Sequence, residues 1–146
     1  MAPPARTPGQ RRDDTLRRFE RDEDAWVATA GDGGPHLVPL SFLWDGVTFV
    51  LATPSSSPTG RNLRESGRAR LGIGPTRDVV MVEGAAEVIA EVTGDLGDAF
   101  AARTGFEPRG LDGYAYYRVR PERIQAWREA NEIAGRDLMR DGRWLV

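Results

Sequence analysis

The sequence contains no cysteine and no lysine. Without cysteine there is no disulfide, no thiolate nucleophile and no Cys-bound zinc or iron–sulfur centre. Without lysine there is no Schiff base and no Walker-type phosphate lysine; all 20 basic residues are arginine. The single histidine, His36, excludes a zinc site made of two or three histidines from one chain. It also leaves one candidate base for a hydrolytic triad. No apolar run approaches the ~20 residues of a membrane-spanning helix. A net charge of −2 gives no bulk attraction for nucleic acid. Neither a membrane nor a nucleic-acid partner is therefore expected, and a cytoplasmic location is the default. With so few side chains suited to difficult chemistry, catalysis would fall to a bound organic cofactor.

What is present reads as a chain of strands. Residues 1–12 are rich in Pro and Arg, lack an apolar signal core, and are expected to form a flexible tail. Residues 13–146 are expected to form one domain. A short amphipathic helix is predicted over 13–24, from the spacing of Leu16 and Phe19. Strands follow at 24–30 and 35–44, separated by the Gly31–Gly34 turn, with Pro39 marking a bulge or an edge. Asp45-Gly46 predicts a two-residue hairpin into a strand at 47–53, which makes a three-strand meander. A Ser/Pro loop leads to a helix at 59–66 capped by Gly67. Strands at 68–74 and 79–90, the second bent at Gly84, precede a helix at 93–104. Two strands at 114–120 and 123–128, separated by Pro121, and an apolar finish around Asp141-Gly142 complete the chain. Six or seven hairpin-linked strands with few helices predict a mainly β, antiparallel barrel rather than a doubly wound sheet.

Thr53–Asn62 (TPSSSPTGRN) carries the most chemistry. It joins a buried strand to a helix start, where backbone N–H groups favour anions. Its hydroxyls and the Arg61 fork add donors suited to phosphate. A solvated Ser-rich turn with a helix cap is the alternative reading.

The succession PHLVPLSFLWDG, TFVLAT, a Ser/Thr/Arg segment ending RNLR, and an R-x-R-L strand resembles the pyridoxamine 5′-phosphate oxidase-like family of flavin and deazaflavin oxidoreductases. The resemblance runs from about Trp26 to Glu87 and weakly to Trp127. It implies a split β-barrel and a homodimer with the cofactor, FMN or F420, in a groove between protomers. It implies that Ser57, Thr59, Arg61 and Asn62 face the cofactor phosphate. Pro39, Leu40, Ser41 and Phe42 would line the ring, mostly through backbone groups, with Thr53 nearby. Trp127 of the other protomer would cover the site. Family members often carry Lys or Arg where this chain has Ser57 and Thr59, so the phosphate grip would rest on Arg61 and hydroxyls.

His36 is either an exposed residue at a strand entrance or a substrate contact at the ring edge. Arg77 is either half of a surface pair with Asp78 or a substrate-reading group over the groove. The leading expectation is an oxidoreductase that moves a hydride to or from a small conjugated organic molecule, with no side chain required as base. A non-catalytic carrier or sensor of flavin, deazaflavin or haem is the alternative. A Ser/His hydrolase built on His36 finds no G-x-S-x-G elbow to support it.

Overall fold

The computed structural model describes residues 2–146. Its first element, α1 (Pro8–Arg21), starts five residues before the predicted helix, so part of the expected tail is helical. The reason is local. Thr7 accepts the Gln10 N–H, the Gln10 side chain accepts the Thr7 N–H, and Pro8 occupies the first turn. Residues before the helix are also tied down. Arg6 donates through its backbone N–H, Nε and Nη2 to the Glu132 carboxylate at 2.8–3.0 Å.

The strands are β1 (Asp24–Gly31), β2 (Gly34–Ser41), β3 (Leu43–Trp44), β4 (Phe49–Pro54), β5 (Arg68–Ile73), β6 (Val79–Ile89), β7 (Tyr114–Trp127), β8 (Asp137–Arg140) and β9 (Arg143–Trp144). All pairings are antiparallel, in the order β2-β1-β5-β6-β7-β4-β3, with β8 and β9 added beside β7. The sheet curls into a split barrel, and β2 and β4 face each other across the split without a ladder.

The predicted meander is therefore interrupted. The strand expected over 35–44 breaks at Phe42, whose side chain is fully buried and whose N–H donates to the Glu23 carbonyl. Asp45-Gly46 does not form a two-residue hairpin. The β3–β4 connection runs through 45–48 because the Asp45 carboxylate accepts the N–H groups of Val47 and Thr48 and the Thr48 hydroxyl. The true two-residue hairpin is at Asp141-Gly142, where both residues have positive φ (52° and 76°).

Pro121 does not divide β7 either. It lies opposite Gly84 at a register shift, where the β6–β7 ladder already tolerates a missing N–H. Gly84 is held to glycine there, since a Cβ would collide with the Arg120 carbonyl oxygen. Gly84→Ala is expected to destabilise the protein by about 1–3 kcal/mol in denaturant titrations, the usual cost of overpacking against backbone.

Inward residues of every long strand form the core, with Val27, Leu51, Leu71, Val82, Tyr117 and Ile124 almost fully buried. Phe19 of α1 joins it against Phe49 and Trp44, at ring centroid distances of 4.8 and 4.9 Å. The outer face of β4 and β7 is covered separately by α3 (Gly94–Thr104), whose Phe100 packs edge-on to Tyr116 at 5.4 Å.

Candidate functional site

The split between β2 and β4 opens into a groove of about 290 Å³. One wall is Pro39, Leu40 and Ser41 of β2, and the other is Ala52, Thr53 and Pro54 of β4. Phe100, Phe106 and Tyr114 close its outer end. Phe106 and Tyr114 meet edge-on with centroids 5.6 Å apart. No charged side chain lines the groove among the described residues.

The wall built by β2 is a free edge. Phe42 N–H bonds Glu23 O, so hydrogen-bonded pairs of the β1–β2 ladder fall at even-numbered β2 positions. The backbone groups of Pro35, Leu37, Pro39 and Ser41 then point away from β1. That explains why prolines are tolerated at 35 and 39, and it leaves the Leu37 and Ser41 N–H groups and neighbouring carbonyls on the free edge.

The groove continues into the start of α2 (Pro58–Ser66). Ser57 caps this helix: its hydroxyl accepts the Gly60 N–H at 3.0 Å and donates to Pro54 O at 2.7 Å. The Thr53 hydroxyl of the groove lies 3.4 Å from it. Gly60 has no room for a side chain, since a Cβ would sit 2.5 Å from Pro54 O and 2.9 Å from the Tyr117 hydroxyl. The helix start is thereby pressed onto the end of β4.

Arg61 donates to Ser56 O at 2.5 Å, and Arg64 donates to Ser55 O at 2.5 Å and to the Tyr117 hydroxyl at 3.2 Å. Both guanidiniums are bound to carbonyls, and neither meets a carboxylate among the described residues. Two uncompensated positive charges therefore flank a helix N-terminus. Arg64 is the residue that sequence reading missed, although its spacing of three from Arg61 places the two on neighbouring turns of one face.

Other expected site residues fall elsewhere. The Asn62 amide donates to the Thr29 hydroxyl at 3.2 Å, which fastens α2 to β1. Thr59 is buried, and Phe42 belongs to the core. His36 is half-buried opposite Thr29 and is not in the groove lining. Trp127 ends the 14-residue β7 that Tyr114 begins, and the Arg136 guanidinium lies 5.7 Å over its ring. Arg77 is exposed and pairs weakly with Glu129 at 3.4 Å, rather than with Asp78. One chain thus brings together Pro39, Leu40, Ser41, Thr53, Ser57 and Arg61, and leaves Trp127 and Arg77 apart from them. Beside the groove, burial and the Glu107 carboxylate push the Tyr116 phenol above its usual range, so it stays neutral.

This donor set fits a phosphorylated planar heterocycle. An uncharged groove with a free backbone edge suits the ring, and the α2 start with Arg61 and Arg64 suits a phosphate. A metal is a poor match: among the described residues no group of three His, Asp or Glu side chains could hold one.

The sequence profile of the pyridoxamine 5′-phosphate oxidase family matches residues 13–128. No curated protein matches the chain. Among solved structures, the fold is similar to that of a haem storage protein from Vibrio cholerae (TM-score 0.67, 13% identity, 78% of this chain and 92% of that one). It is also similar to a FAD-binding protein from Mesorhizobium loti (TM-score 0.64, 16% identity, 77% and 89%). An F420 reductase superimposes with a TM-score of 0.62 at 19% identity, over 74% and 93% of the two chains.

Proposed function

Because the chain belongs to the pyridoxamine 5′-phosphate oxidase family, we propose that it is an oxidoreductase that holds FMN or F420 in the groove and transfers a hydride to or from a small conjugated organic molecule. The observation that carries this reading is the continuity of an uncharged groove with a helix start flanked by two carboxylate-free guanidiniums. When bound, the ring supplies the hydride chemistry. The chain's own contribution is positional. The β2 edge presents backbone N–H groups to the ring, which can stabilise negative charge on it. Ala52, Phe100, Phe106 and Pro39 exclude water, and the α2 start with Arg61 and Arg64 holds the phosphate.

We also propose a cytoplasmic homodimer with the groove at its interface. Trp26 (54% exposed) and Leu37 (60% exposed) sit on the outer face of β1 and β2, and the register pairs Trp26 with Pro39. This apolar face runs into the groove at Pro39, so a partner covering it also walls the groove. Light scattering at micromolar concentration is expected to give a dimer. Trp26→Glu is expected to give a monomer with weakened cofactor binding, whereas a wild-type monomer would remove the interfacial groove.

The fold also serves a haem storage protein, which makes a carrier the competing reading. Among the described residues no His or Met lines the groove, and Tyr114 is its one side chain of a haem-ligand type. The test is the absorbance spectrum of the protein loaded with each cofactor, followed by reduction and addition of quinone-like acceptors. Reoxidation faster than that of free cofactor supports the enzyme; stable reduced cofactor against every acceptor supports the carrier.

A further inference from the structure

Arg61 and Arg64 flank the same helix start but are held differently. Among the described residues the Arg61 guanidinium has one protein partner, the carbonyl oxygen of exposed Ser56. The Arg64 guanidinium has two, both reached from Nη1: Ser55 O at 2.5 Å and the Tyr117 hydroxyl at 3.2 Å. Its Nε and Nη2 have no protein partner among the described residues.

Tyr117 comes from the buried face of β7 and is fully enclosed. Its ring belongs to the main core, opposite Leu51 in the β4 ladder and Val88 in the β6 ladder. A ring packed on all sides keeps one rotamer, so its hydroxyl emerges at a fixed place. Gly60 marks that place, because a Cβ there would lie 2.9 Å from the hydroxyl and 3.0 Å from Ser55 O. The Tyr117 hydroxyl and the Ser55 carbonyl therefore meet under the first turn of α2, and Arg64 Nη1 spans the two.

We propose that Tyr117 is a positioning residue that fixes Arg64 for the cofactor phosphate and so favours the phosphorylated cofactor over its unphosphorylated form, an inference that rests on reading the α2 start as the phosphate site. A free arginine side chain loses rotamer freedom when it grips an anion, and that loss weakens binding. Here the ordering is already made when the chain folds. Anchored through Nη1 alone, the guanidinium keeps its Nε and Nη2 donors for phosphate oxygens. Tyr117 touches no ligand; it acts through Arg64. Arg61, tied only to an exposed carbonyl, supplies charge without this order.

The test is a double-mutant cycle read as the ratio of two dissociation constants, riboflavin over FMN, from fluorescence titrations of the full chain. F420 and its chromophore without the phosphate-bearing tail form a second pair. Tyr117→Phe keeps the ring and deletes the hydroxyl. It should weaken FMN binding roughly three- to tenfold and leave riboflavin binding within error, so the ratio falls by that factor. In an Arg64→Ala background the ratio is already lowered, and adding Tyr117→Phe should change it no further. The FMN constants alone close the same cycle if riboflavin binds too weakly to measure. Thermal unfolding without ligand checks that each variant is folded. A role in stability alone would move FMN and riboflavin together, and that result overturns the proposal. So does a further fall when Tyr117→Phe is added to Arg64→Ala. Wild-type protein that binds FMN or F420 with a ratio insensitive to Tyr117→Phe overturns the positioning role and leaves the phosphate site standing. Wild-type protein that binds neither overturns both.

Discussion

Replacing Glu132 with alanine is expected to lower the free energy of unfolding by about 3–5 kcal/mol, the range for removing one partner of a buried ion pair. Glu132 is 2% exposed. Its two oxygens accept four N–H donors: the backbone N–H, Nε and Nη2 of Arg6 and the backbone N–H of Arg128. The residue thus ties the segment before α1 to the end of β7. Truncation leaves those donors facing a cavity, with the Arg6 charge only partly met by Asp14. The exposed Glu107–Arg109 pair is the control, and Glu107→Ala should leave stability unchanged within error.

The same contact sets an acid limit. The hydrogen bond from the Arg6 side chain, joined by two backbone N–H groups against the opposing effect of burial, lowers the Glu132 carboxyl from 4.5 to about 2. A depressed carboxylate stabilises the fold fully above its unfolded value. Its contribution is lost as pH falls from about 4.5 towards 2, on the order of 2–3 kcal/mol in all. Denaturant titrations across this window should show wild-type stability falling more steeply than that of Glu132→Ala. Parallel curves would mean that Glu132 is not the group that titrates.

Arg61→Ala is expected to weaken cofactor binding by about 1.5–3 kcal/mol, or one to two decades in dissociation constant. Arg61 lies one turn into α2 and is exposed, with Ser56 O as its partner. A bound phosphate can therefore recruit it without breaking an ion pair. Arg64 is held at Ser55 O and the Tyr117 hydroxyl, and Arg64→Ala should weaken binding as well. Arg61→Ala does not touch the core, so its unfolding midpoint without cofactor should stay close to wild type, whereas Arg64→Ala also removes the partner of the buried Tyr117 hydroxyl and should cost about 1–3 kcal/mol of stability. An unchanged dissociation constant in Arg61→Ala would remove it from the site.

Much of the fold could be read from local chemistry. The Gly67 cap, the bend at Gly84 and the alternation in β5 follow from short-range rules, and the structure bears them out. The misreadings share a cause: a residue's local preference was overruled by a partner. Asp45-Gly46 carries the signature of a tight hairpin, yet the Asp45 carboxylate bonds Thr48 and Val47 and widens the loop. Pro121 should end a strand, yet Gly84 opposite it opens the ladder. Of the residues before Asp13 that read as a tail, 8–12 are helical through the local Thr7–Gln10 cap, and only the anchoring of Arg6 depends on a partner, Glu132, 126 positions away.

The same division runs through the candidate site. The Pro39–Ser41 and Thr53 walls follow from the succession of strands and meet in one groove. Ser57 looked like a phosphate donor, but its hydroxyl is engaged by Gly60 and Pro54. A second guanidinium, that of Arg64, is brought over the Ser55 loop only by the packing of α2. Asn62 and Thr59 point into the fold because α2 must seal β1 and the barrel.

The central claim is that the groove and the α2 start hold a phosphorylated flavin or deazaflavin. Calorimetric titration of the purified protein with FMN, with F420 and with FAD tests it most directly. The account predicts that FMN or F420 binds saturably with a dissociation constant below the millimolar range. Failure of all three to bind below the millimolar range would contradict it.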